Sequence, residues 1–425
     1  MKSGWAAAPA LWRAIVMSAA LPVAALLFGR VDLLLLAIPF ALGTAAALLS
    51  RPGGDPVAEL ELGSGSVVEG GPVDARLTVT NPGPAPVMCV LSPRSDRFLH
   101  PRYGSRHLLL ELPPHSRGGA ALGYTATRWG VHELGPALAS VFAADGLLEH
   151  SVQVATARQV AALPSAPGFS SRVGLPDATG MSGVHRSRRP GENGELSGVR
   201  PFQPGDRLRR INWRTTVRTG QAHVNAMLSE RDTEVVILLD VLTEVGESGG
   251  VGGEESALDA AVRAAAAITE HYTHQGDRVA IVELGRPRRL RPGTGRRHYL
   301  AALQWLAGVR QAAGLGEESR ERLLASGLVT RAGLIVVLTP LVDERSSMAL
   351  AVLARSRRAL VAVDTLPPGQ PVPGDGATAR LAERLWRIER DNVIGRLREA
   401  GVPVEVWRGA GSLDAILRDA ARVAR

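Results

Sequence analysis

The sequence predicts a multidomain chain: a transmembrane helical hairpin, a β-sandwich of immunoglobulin-like size and a doubly wound α/β domain. Two apolar runs lie near the start, short alternating runs separated by proline and glycine come next, and apolar runs alternating with amphipathic segments fill the second half. The expected boundaries are 1–52 for the hairpin, 55–163 for the sandwich, 164–190 for a linker and 191–425 for the α/β region.

Composition limits the classes of function. The 425 residues suffice for two or three domains, and the 45% hydrophobic content can build their cores. The formal net charge is +8, but no aromatic residues interleave the basic cluster at 186–189, so no nucleic-acid partner is expected. Cys89 is the single cysteine, which excludes an internal disulfide and a cysteine metal cluster. No phosphate loop of the Gly-x-x-x-x-Gly-Lys type occurs, so the chain is not an ATPase by that route.

The first element is a pair of apolar runs, 14–28 and 33–49, joined by the polar break 29–32. Each run is near the lower limit of the about 17–25 residues that a bilayer-spanning helix needs. A cleaved signal peptide is the alternative for the first run, because Lys2 and Arg13 precede a short apolar core. The second run comes directly afterwards, which a signal peptide does not need. The pattern therefore favours a hairpin embedded in a lipid bilayer.

The charges that flank these runs predict their orientation. Lys2, Arg13 and Arg51 lie outside the two runs, whereas only Arg30 lies in the loop between them. Basic residues accumulate on the cytoplasmic side of membranes. We therefore expect a cell-membrane protein with two helices, with both termini and the soluble domains in the cytoplasm.

The second element is a series of short strands with turn residues between them. The segment 73–80 alternates with period two and is broken by the turn residues of 81–84. Repeated short strands of this kind predict a β-sandwich of immunoglobulin-like length. Further strand candidates are 87–91, 107–112, 119–125 and 130–138.

From residue 234 onward, strands and helices alternate. Continuous apolar runs are typical of strands that are buried on both faces, and their alternation with helices predicts a doubly wound, mostly parallel sheet. The arginine-rich segment 285–295 is interpreted as a solvated hairpin. Strands are expected at 235–239, 277–282, 334–338, 360–364 and 402–406, and helices at 255–274, 297–309, 346–357, 377–400 and 412–423.

The segment 191–231 combines arginines, acids and turn residues directly before an apolar strand. Pro204-Gly205 predicts a turn, and Asp206 is placed to cap the residues after that turn or to hold Arg209 and Arg210. From the residues alone, a basic surface loop and a functional segment are both open, because charge runs are usually solvated.

Two further residues of this segment carry expectations about its role. Ile211 and Trp213 alternate with polar neighbours, as on a half-buried strand. We expect Trp213 to anchor the segment by burying its ring. We expect Arg209 to offer a directional contact to a carboxylate of a partner protein.

The pattern of this segment resembles the signature of the domain of unknown function 58 family. These are bacterial membrane proteins whose C-terminal half resembles a von Willebrand factor A domain. The resemblance implies a MoxR-type AAA ATPase as the partner, while the family's own activity is poorly defined. Asn212 departs from the pattern, in which an acidic residue or a histidine is common. The residues that carry the resemblance are Arg200, Gly205, Asp206, Arg209, Arg210, Trp213, Arg218 and Glu230.

The resemblance also implies a metal site at the end of the first α/β strand. Its pattern is Asp-x-Ser-x-Ser, whose hard oxygen ligands suit Mg²⁺. Asp240 is retained, but Leu242 and Glu244 stand at the two serine positions. The third strand ends in Thr339-Pro340 without an aspartate, although Asp343 is close. We therefore expect a degenerate site with no metal or other cofactor, in which Asp240 caps the loop at the switch point of the sheet.

The sequence supports two hypotheses for the function. The first is a membrane-anchored interaction or scaffold protein, without enzymatic activity, that works with a MoxR-type AAA ATPase in protein assembly or maturation. The second is a metal-dependent or hydrolytic enzyme that uses Asp240, Glu244 and Asp343, because paired carboxylates can do such work. Nothing in the sequence positions a nucleophile or an open coordination shell, which favours the first hypothesis.

Overall fold

The fold is that of a computed structural model of the chain. The chain forms two compact units, Met1–Leu163 and Pro164–Arg425. The residues that the structure describes are 4–50, 52–104, 107–165, 196–202, 208, 211–227, 234–312, 332–355, 359–368, 377–412, 414–416 and 418.

The two predicted apolar helices are present in the N-terminal unit. Helices α1 (Pro9–Phe28) and α2 (Asp32–Leu49) have mean hydropathies of 1.9 and 2.0 and are long and apolar enough to cross a membrane. Gly29 ends α1 with φ +66°, a conformation in which glycine avoids the strain that a Cβ would cause. Leu26 and Leu49 are 85% and 84% exposed, so the helices present apolar surface of the kind that lipid covers. Their orientation stays a prediction.

A short strand precedes the helical hairpin. Strand β1 (Trp5–Ala7) pairs antiparallel with β11 (Leu148–Ala155), and the amide of Ala8 donates to the carbonyl of Leu147 at 3.0 Å. The sequence pattern placed these first residues with the hairpin, but their backbone hydrogen bonds place them in a sheet. Because α2 leads into β2 (Val57–Leu62), both ends of the hairpin join the same β-rich region.

The β-rich region contains the predicted series of short strands. One sheet has the order β1-β11-β10-β5-β7, another has β2-β4-β8-β6, and a third has β3-β12-β9. The predicted strand 130–138 is two strands, because Gly135-Pro136 interrupts it. The other strands are β3 (Ser66–Val68), β4 (Pro72–Asn81), β5 (Val87–Ser92), β6 (Leu99–Tyr103), β7 (Leu108–Leu112), β8 (Ser116–Ala126), β9 (Gly130–Leu134), β10 (Ala137–Ala143) and β12 (Arg158–Leu163).

The sheets of this region share one hydrophobic core. Leu77 of β4, Leu91 of β5 and Leu122 of β8 are almost fully buried in it. Strand β10 alternates buried and half-buried residues along its whole length, as a strand with one face on a core does. Cys89 is buried in the same core, and burial raises the pKa of its thiol to about 11.

A six-stranded sheet forms the centre of the C-terminal unit. Its order is β17-β16-β15-β18-β19-β20, and every neighbouring pair is parallel except β16–β17. Strands β16 and β17 follow on one side of β15, and β18, β19 and β20 follow on its other side. The switch point, where the strand order reverses, therefore lies between β15 and β18. The strands are β15 (Glu234–Asp240), β16 (Arg278–Leu284), β17 (Arg289–Gly293), β18 (Leu334–Thr339), β19 (Ala359–Asp364) and β20 (Val404–Val406).

The helices of this unit lie near their predicted positions. Helix α4 begins with a capping box in which the Ser256 side chain accepts from the Asp259 amide, and Asp259 in turn accepts from the Ser256 amide. The arginine-rich hairpin is present, with β17 as its outer strand. The predicted helix 412–423 lies largely outside the described residues. The helices are α4 (Ala257–His274), α5 (Gly295–Ala307), α6 (Glu344–Ala354) and α7 (Ala377–Glu399).

The described part of the segment 191–231 forms a small separate sheet. Strand β13 (Leu196–Pro201) pairs antiparallel with β14 (His223–Met227), and α3 (Trp213–Thr219) lies between them in sequence. The half-buried strand expected through Ile211 and Trp213 is wrong. Ile211 makes only an isolated bridge to Val224, and Trp213 begins α3.

Candidate functional site

The carboxyl ends of β15 and β18 meet at the switch point of the sheet. Asp240 is the last residue of β15, Thr339 is the last residue of β18, and Ser346 lies in the first turn of α6. We call Asp240, Leu242, Thr339 and Ser346 the Asp240 cluster. Crevices at this position are where doubly wound folds bind ligands, so its geometry bears directly on function.

Both carboxylate oxygens of Asp240 accept hydrogen bonds from the protein. Its Oδ1 accepts from the amide of Leu242 at 3.0 Å. Its Oδ2 accepts from the hydroxyls of Thr339 at 2.7 Å and Ser346 at 2.6 Å. Asp240 is 2% exposed, and Thr339 and Ser346 are fully buried. The carboxylate thus joins two strand ends and a helix through contacts that leave it little access to solvent.

Leu341 extends this arrangement beyond β18. Its amide donates to the Thr339 hydroxyl at 3.0 Å, so that hydroxyl both accepts from Leu341 and donates to Asp240. Leu341 is 3% exposed and has a φ of +54°, a left-handed conformation that a leucine adopts at a cost of about 1–3 kcal/mol. The hydrogen bond to Thr339 and the buried side chain offset that strain, so the turn after β18 depends on the Asp240 cluster.

Asp343 lies beside the cluster and is held by Arg345. It caps α6 by accepting from the amide of Arg345 at 2.8 Å, and its Oδ2 lies 2.6 Å from the guanidinium. The hydroxyl of Thr243 donates to the same oxygen at 3.3 Å. Glu244 follows Thr243 in the loop after β15 and is half-buried. The structure therefore brings Asp343 and the loop after Asp240 together, with an arginine supplying the positive charge.

The two aspartates have opposite electrostatic environments. Burial raises the pKa of Asp240, although the hydrogen bonds from Ser346, Thr339 and Leu242 act to lower it. The hydrogen bond from Arg345 lowers the pKa of Asp343. Asp343 is therefore a stable anion, whereas Asp240 is a carboxyl whose charge is costly to bury.

A second buried carboxyl lies at the end of β19. Asp364 is 4% exposed and its Oδ1 is 2.5 Å from Nη2 of Arg390 in α7. The Nε of Arg390 donates to the carbonyl of Pro340 at 3.2 Å. Burial raises the pKa of Asp364, and the charge of Arg390 opposes that effect. This ion pair connects α7 to the carboxyl edge of the sheet.

The described signature residues lie on the small sheet and on α3. Arg200 is in β13, Trp213 is the first residue of α3, and Arg218 is in its last turn. The expectation that Trp213 buries its ring is wrong, because this residue is 66% exposed. Helical geometry turns the ring away from the strands, and the same face carries Val217, which is 82% exposed. The predicted site residues Gly205, Asp206, Arg209, Arg210 and Glu230 lie outside the described residues.

Asn212, the departure from the family pattern, has a clear local role. Its side-chain oxygen accepts from the amide of Thr215 at 3.1 Å, so it caps α3. Its side-chain nitrogen donates to Asn225 in β14 at 2.8 Å. An amide supplies both an acceptor and a donor, which joins α3 to the strand.

Sequence reasoning missed two residues of the site, Ser346 and Arg390. Ser346 is one of many serines in the chain, and Arg390 is one of several arginines in a charged helix. Asp343 followed by helical residues predicts the cap at which α6 begins, but no sequence signal marks Ser346 as a donor to Asp240.

The fold and the site define this part of the chain as a doubly wound α/β domain whose carboxyl edge is closed by its own hydrogen bonds. Residues 198–384 match the family model described as protein of unknown function DUF58. Uncharacterized proteins of Mycobacterium bovis and Mycobacterium tuberculosis are 34% identical to it over 134 residues. These matches cover 31% of this chain and 41% of the length of each relative.

Two solved structures match part of the chain with low TM-scores. A structure of Escherichia coli alpha-2-macroglobulin, from domain MG7 to the C-terminus, matches 28% of this chain and 18% of its own, with a TM-score of 0.24 and 20% identity. A FixG-related protein from Vibrio parahaemolyticus matches 26% of this chain and 97% of its own, with a TM-score of 0.20 and 8% identity. TM-scores this low do not indicate a shared overall fold.

Proposed function

We propose that the protein is a membrane-anchored interaction protein that works with a MoxR-type AAA ATPase in the assembly or maturation of other proteins. Two candidate membrane-spanning helices support the anchor. The family match over residues 198–384 supports the choice of partner, because the signature segment resembles proteins found with such ATPases. The predicted orientation would present the soluble parts to an ATPase in the cytoplasm.

The C-terminal unit is, in this proposal, a von Willebrand factor A-like domain that has lost its metal. The strand order, with β15 at the centre and an antiparallel outer strand, supports this assignment. The contacts of Asp240 support a closed site, because both of its oxygens already accept from Leu242, Thr339 and Ser346. A divalent ion would have to replace these donors and overcome their hydrogen bonds.

The competing enzyme hypothesis is less well supported. It requires Asp240, Glu244 and Asp343 to act on a substrate or on a metal. Asp240 is 2% exposed, and Asp343 is engaged by the guanidinium of Arg345. A general base or a metal ligand needs a lone pair that faces the reactant. Both oxygens of each aspartate already accept hydrogen bonds from the protein, which compete with such a role.

The exposed face of α3 is the observation that carries the proposal. Trp213 and Val217 are 66% and 82% exposed and lie one helical turn apart. Arg214 and Arg218 are exposed on the same short helix. Exposed tryptophan and arginine are the residue types that dominate binding energy at protein interfaces. This face lies inside the region that matches the family, so it is the proposed ATPase-docking surface.

The test is a binding measurement between the full chain in detergent and a purified MoxR-type AAA ATPase of the same source organism. Trp213→Ala should weaken binding at least about tenfold, as expected for an interface tryptophan. It should leave thermal unfolding almost unchanged, because the ring is exposed.

Met348→Ala is the matched control, because Met348 is an exposed apolar residue on α6, 46% accessible. It should bind the ATPase as the wild type does. Absence of binding by the wild type, or an equal loss in both variants, would refute the proposed docking surface.

A further inference from the structure

Helix α7 extends beyond the carboxyl edge of the sheet. Its Arg390 contacts Asp364 and the Pro340 carbonyl at that edge, while Leu397 is buried near Val404 of β20. The thirteen residues 377–389 therefore precede the level of the edge. At about 1.5 Å per residue they extend about 20 Å past it. Trp386 and Arg387 at the end of this extension lie beside Leu366 and Pro367. The earlier residues 378–385 are mostly exposed, and an exposed helix is marginal in water.

An apolar stripe runs along the side of α7 that faces away from the sheet. Leu381, Leu385 and Ile388 are 59%, 60% and 57% exposed. At about 100° per residue, Ile388 lies about 180° around the helix from the buried Leu397. Among the described residues, a Cβ added at Gly395, the next position of the stripe, would meet nothing within 4 Å, so the stripe is open at that position too.

The stripe has the spacing of a coiled-coil seam. Leu381, Leu385, Ile388 and Asn392 alternate steps of four, three and four residues, which places them at d, a, d and a of a heptad. Asn392 is exposed, and asparagine at an a position is a device that fixes register in paired helices. The pattern is that of a short two-stranded coiled coil.

The charges beside the seam complement a second copy of the same helix. In this heptad Arg384 and Asp391 occupy g positions, and Glu389 and Arg396 occupy e positions. In a parallel pair each g residue faces the e residue five positions later on the other helix. Arg384 then faces Glu389, and Asp391 faces Arg396. All four side chains are exposed, and in the described part of the chain none of them forms an ion pair.

We propose that two copies of this chain associate through α7 as a parallel, in-register coiled coil. The two-fold axis runs along the seam, so each ion pair occurs twice. Both sheets lie on the outer sides of the pair, because Trp386, Val393 and Leu397 face their own domain. The seam spans only about two heptads, so the dimer is reversible and depends on protein concentration.

The first test exchanges charges in the full chain in detergent, with oligomeric state measured by native mass spectrometry. Arg384→Glu alone creates two Glu–Glu contacts, and Glu389→Arg alone creates two Arg–Arg contacts. Each single variant should dimerise about tenfold more weakly than the wild type. An equal mixture of the two variants should form heterodimers as strong as the wild-type dimer, because opposite charges face each other again.

Other results of that experiment overturn the proposal. If the wild type stays monomeric at every concentration, the stripe does not bind a second copy of this chain and the proposal is wrong. A mixture that forms no excess of heterodimers would reject the parallel register, because an antiparallel pair would place Arg384 opposite Asp391.

A second test reads the register directly by oxidation. Leu385→Cys places a thiol at an a position, where equivalent residues of a parallel pair face each other. Arg380→Cys, on an exposed side of α7 away from the seam, is the matched control. Cys89 does not compete, because it is buried and burial raises its pKa to about 11. A disulfide-linked dimer should form with Leu385→Cys and not with Arg380→Cys; crosslinking of both variants, or of neither, would overturn the proposal.

Discussion

Removal of the Asp240 carboxylate should destabilise the junction of β15, β18 and α6. In Asp240→Ala the amide of Leu242 and the hydroxyls of Thr339 and Ser346 lose their common acceptor. Leu242, Thr339 and Ser346 are all buried. A buried donor without an acceptor costs about 1–3 kcal/mol, but the two hydroxyls can rotate toward other acceptors. We therefore expect a total loss of about 2–4 kcal/mol.

The conservative variant Asp240→Asn separates hydrogen bonding from charge. Its side-chain oxygen can still accept from Leu242, and its nitrogen can donate to the two hydroxyls. Both hydroxyls then have to turn their own protons to other acceptors, and Thr339 also keeps accepting from the amide of Leu341. The expected loss is about 1 kcal/mol. Asp240→Ala should therefore cost clearly more than Asp240→Asn.

Two measurements on the full chain in detergent check this ordering. A loss of about 2–4 kcal/mol corresponds to a fall in Tm of roughly 5–15 °C for a domain of this size. Hydrogen exchange read by mass spectrometry should show lower protection in peptides from β15 and β18. Glu247→Ala, an exposed carboxylate in the loop after β15, is the control and should change neither. If Asp240→Ala unfolds and exchanges as the wild type does, the structural role assigned to this carboxylate is wrong.

Four further predictions concern metal, pH, a second ion pair and topology. Calorimetric titration of the full chain with Mg²⁺ or Mn²⁺ should show no binding tighter than about 1 mM; micromolar binding that disappears in Asp240→Ala would contradict the closed site. Burial raises the pKa of Asp240, so protonation of this carboxyl favours the folded state. That contribution to the free energy of unfolding is fully present below the unfolded pKa and is lost as pH rises through the folded pKa. Urea unfolding measured between these two pH values should show that loss of stability in the wild type, and stability should depend less on pH in Asp240→Asn. Arg390→Ala leaves Asp364 buried without its partner and should cost about 3–5 kcal/mol in the same assay, whereas the added change Asp364→Asn should recover most of it; a double variant no more stable than Arg390→Ala would count against the ion pair. A reporter that requires the cytoplasm should be active when fused after Arg425, and activity of a periplasm-dependent reporter there would reverse the predicted orientation.

Much of the fold could be predicted from the sequence because its signals are local. Apolar runs of membrane-spanning length identified α1 and α2, and continuous apolar strands identified β15, β18 and β19 within one or two residues. A strand that is buried on both faces must be apolar throughout, so its composition reveals it whatever its neighbours are. The end of such a strand is also visible, which is why Asp240 was recognised as a switch-point residue.

The partners of Asp240 could not be predicted, because tertiary structure alone brings them together. Ser346 lies 106 residues from Asp240 in sequence and donates to it at 2.6 Å. No periodicity marks a serine as the donor to a distant carboxylate, since one side-chain hydrogen bond leaves no repeated pattern. Trp213 illustrates the same limit in the opposite direction. Its neighbours suggested a half-buried strand, but the cap supplied by Asn212 starts a helix that turns the ring outward.

The sequence by itself therefore determined the two apolar helices and the positions of the central strands. Only the tertiary structure decided that Asp240 is enclosed by Thr339 and Ser346, and that the stripe on α7 faces away from its own sheet. The physical reason is that secondary structure and burial arise from periodic patterns along the chain. Hydrogen-bond partners and the direction of an exposed helix face depend on which distant segments the fold places side by side.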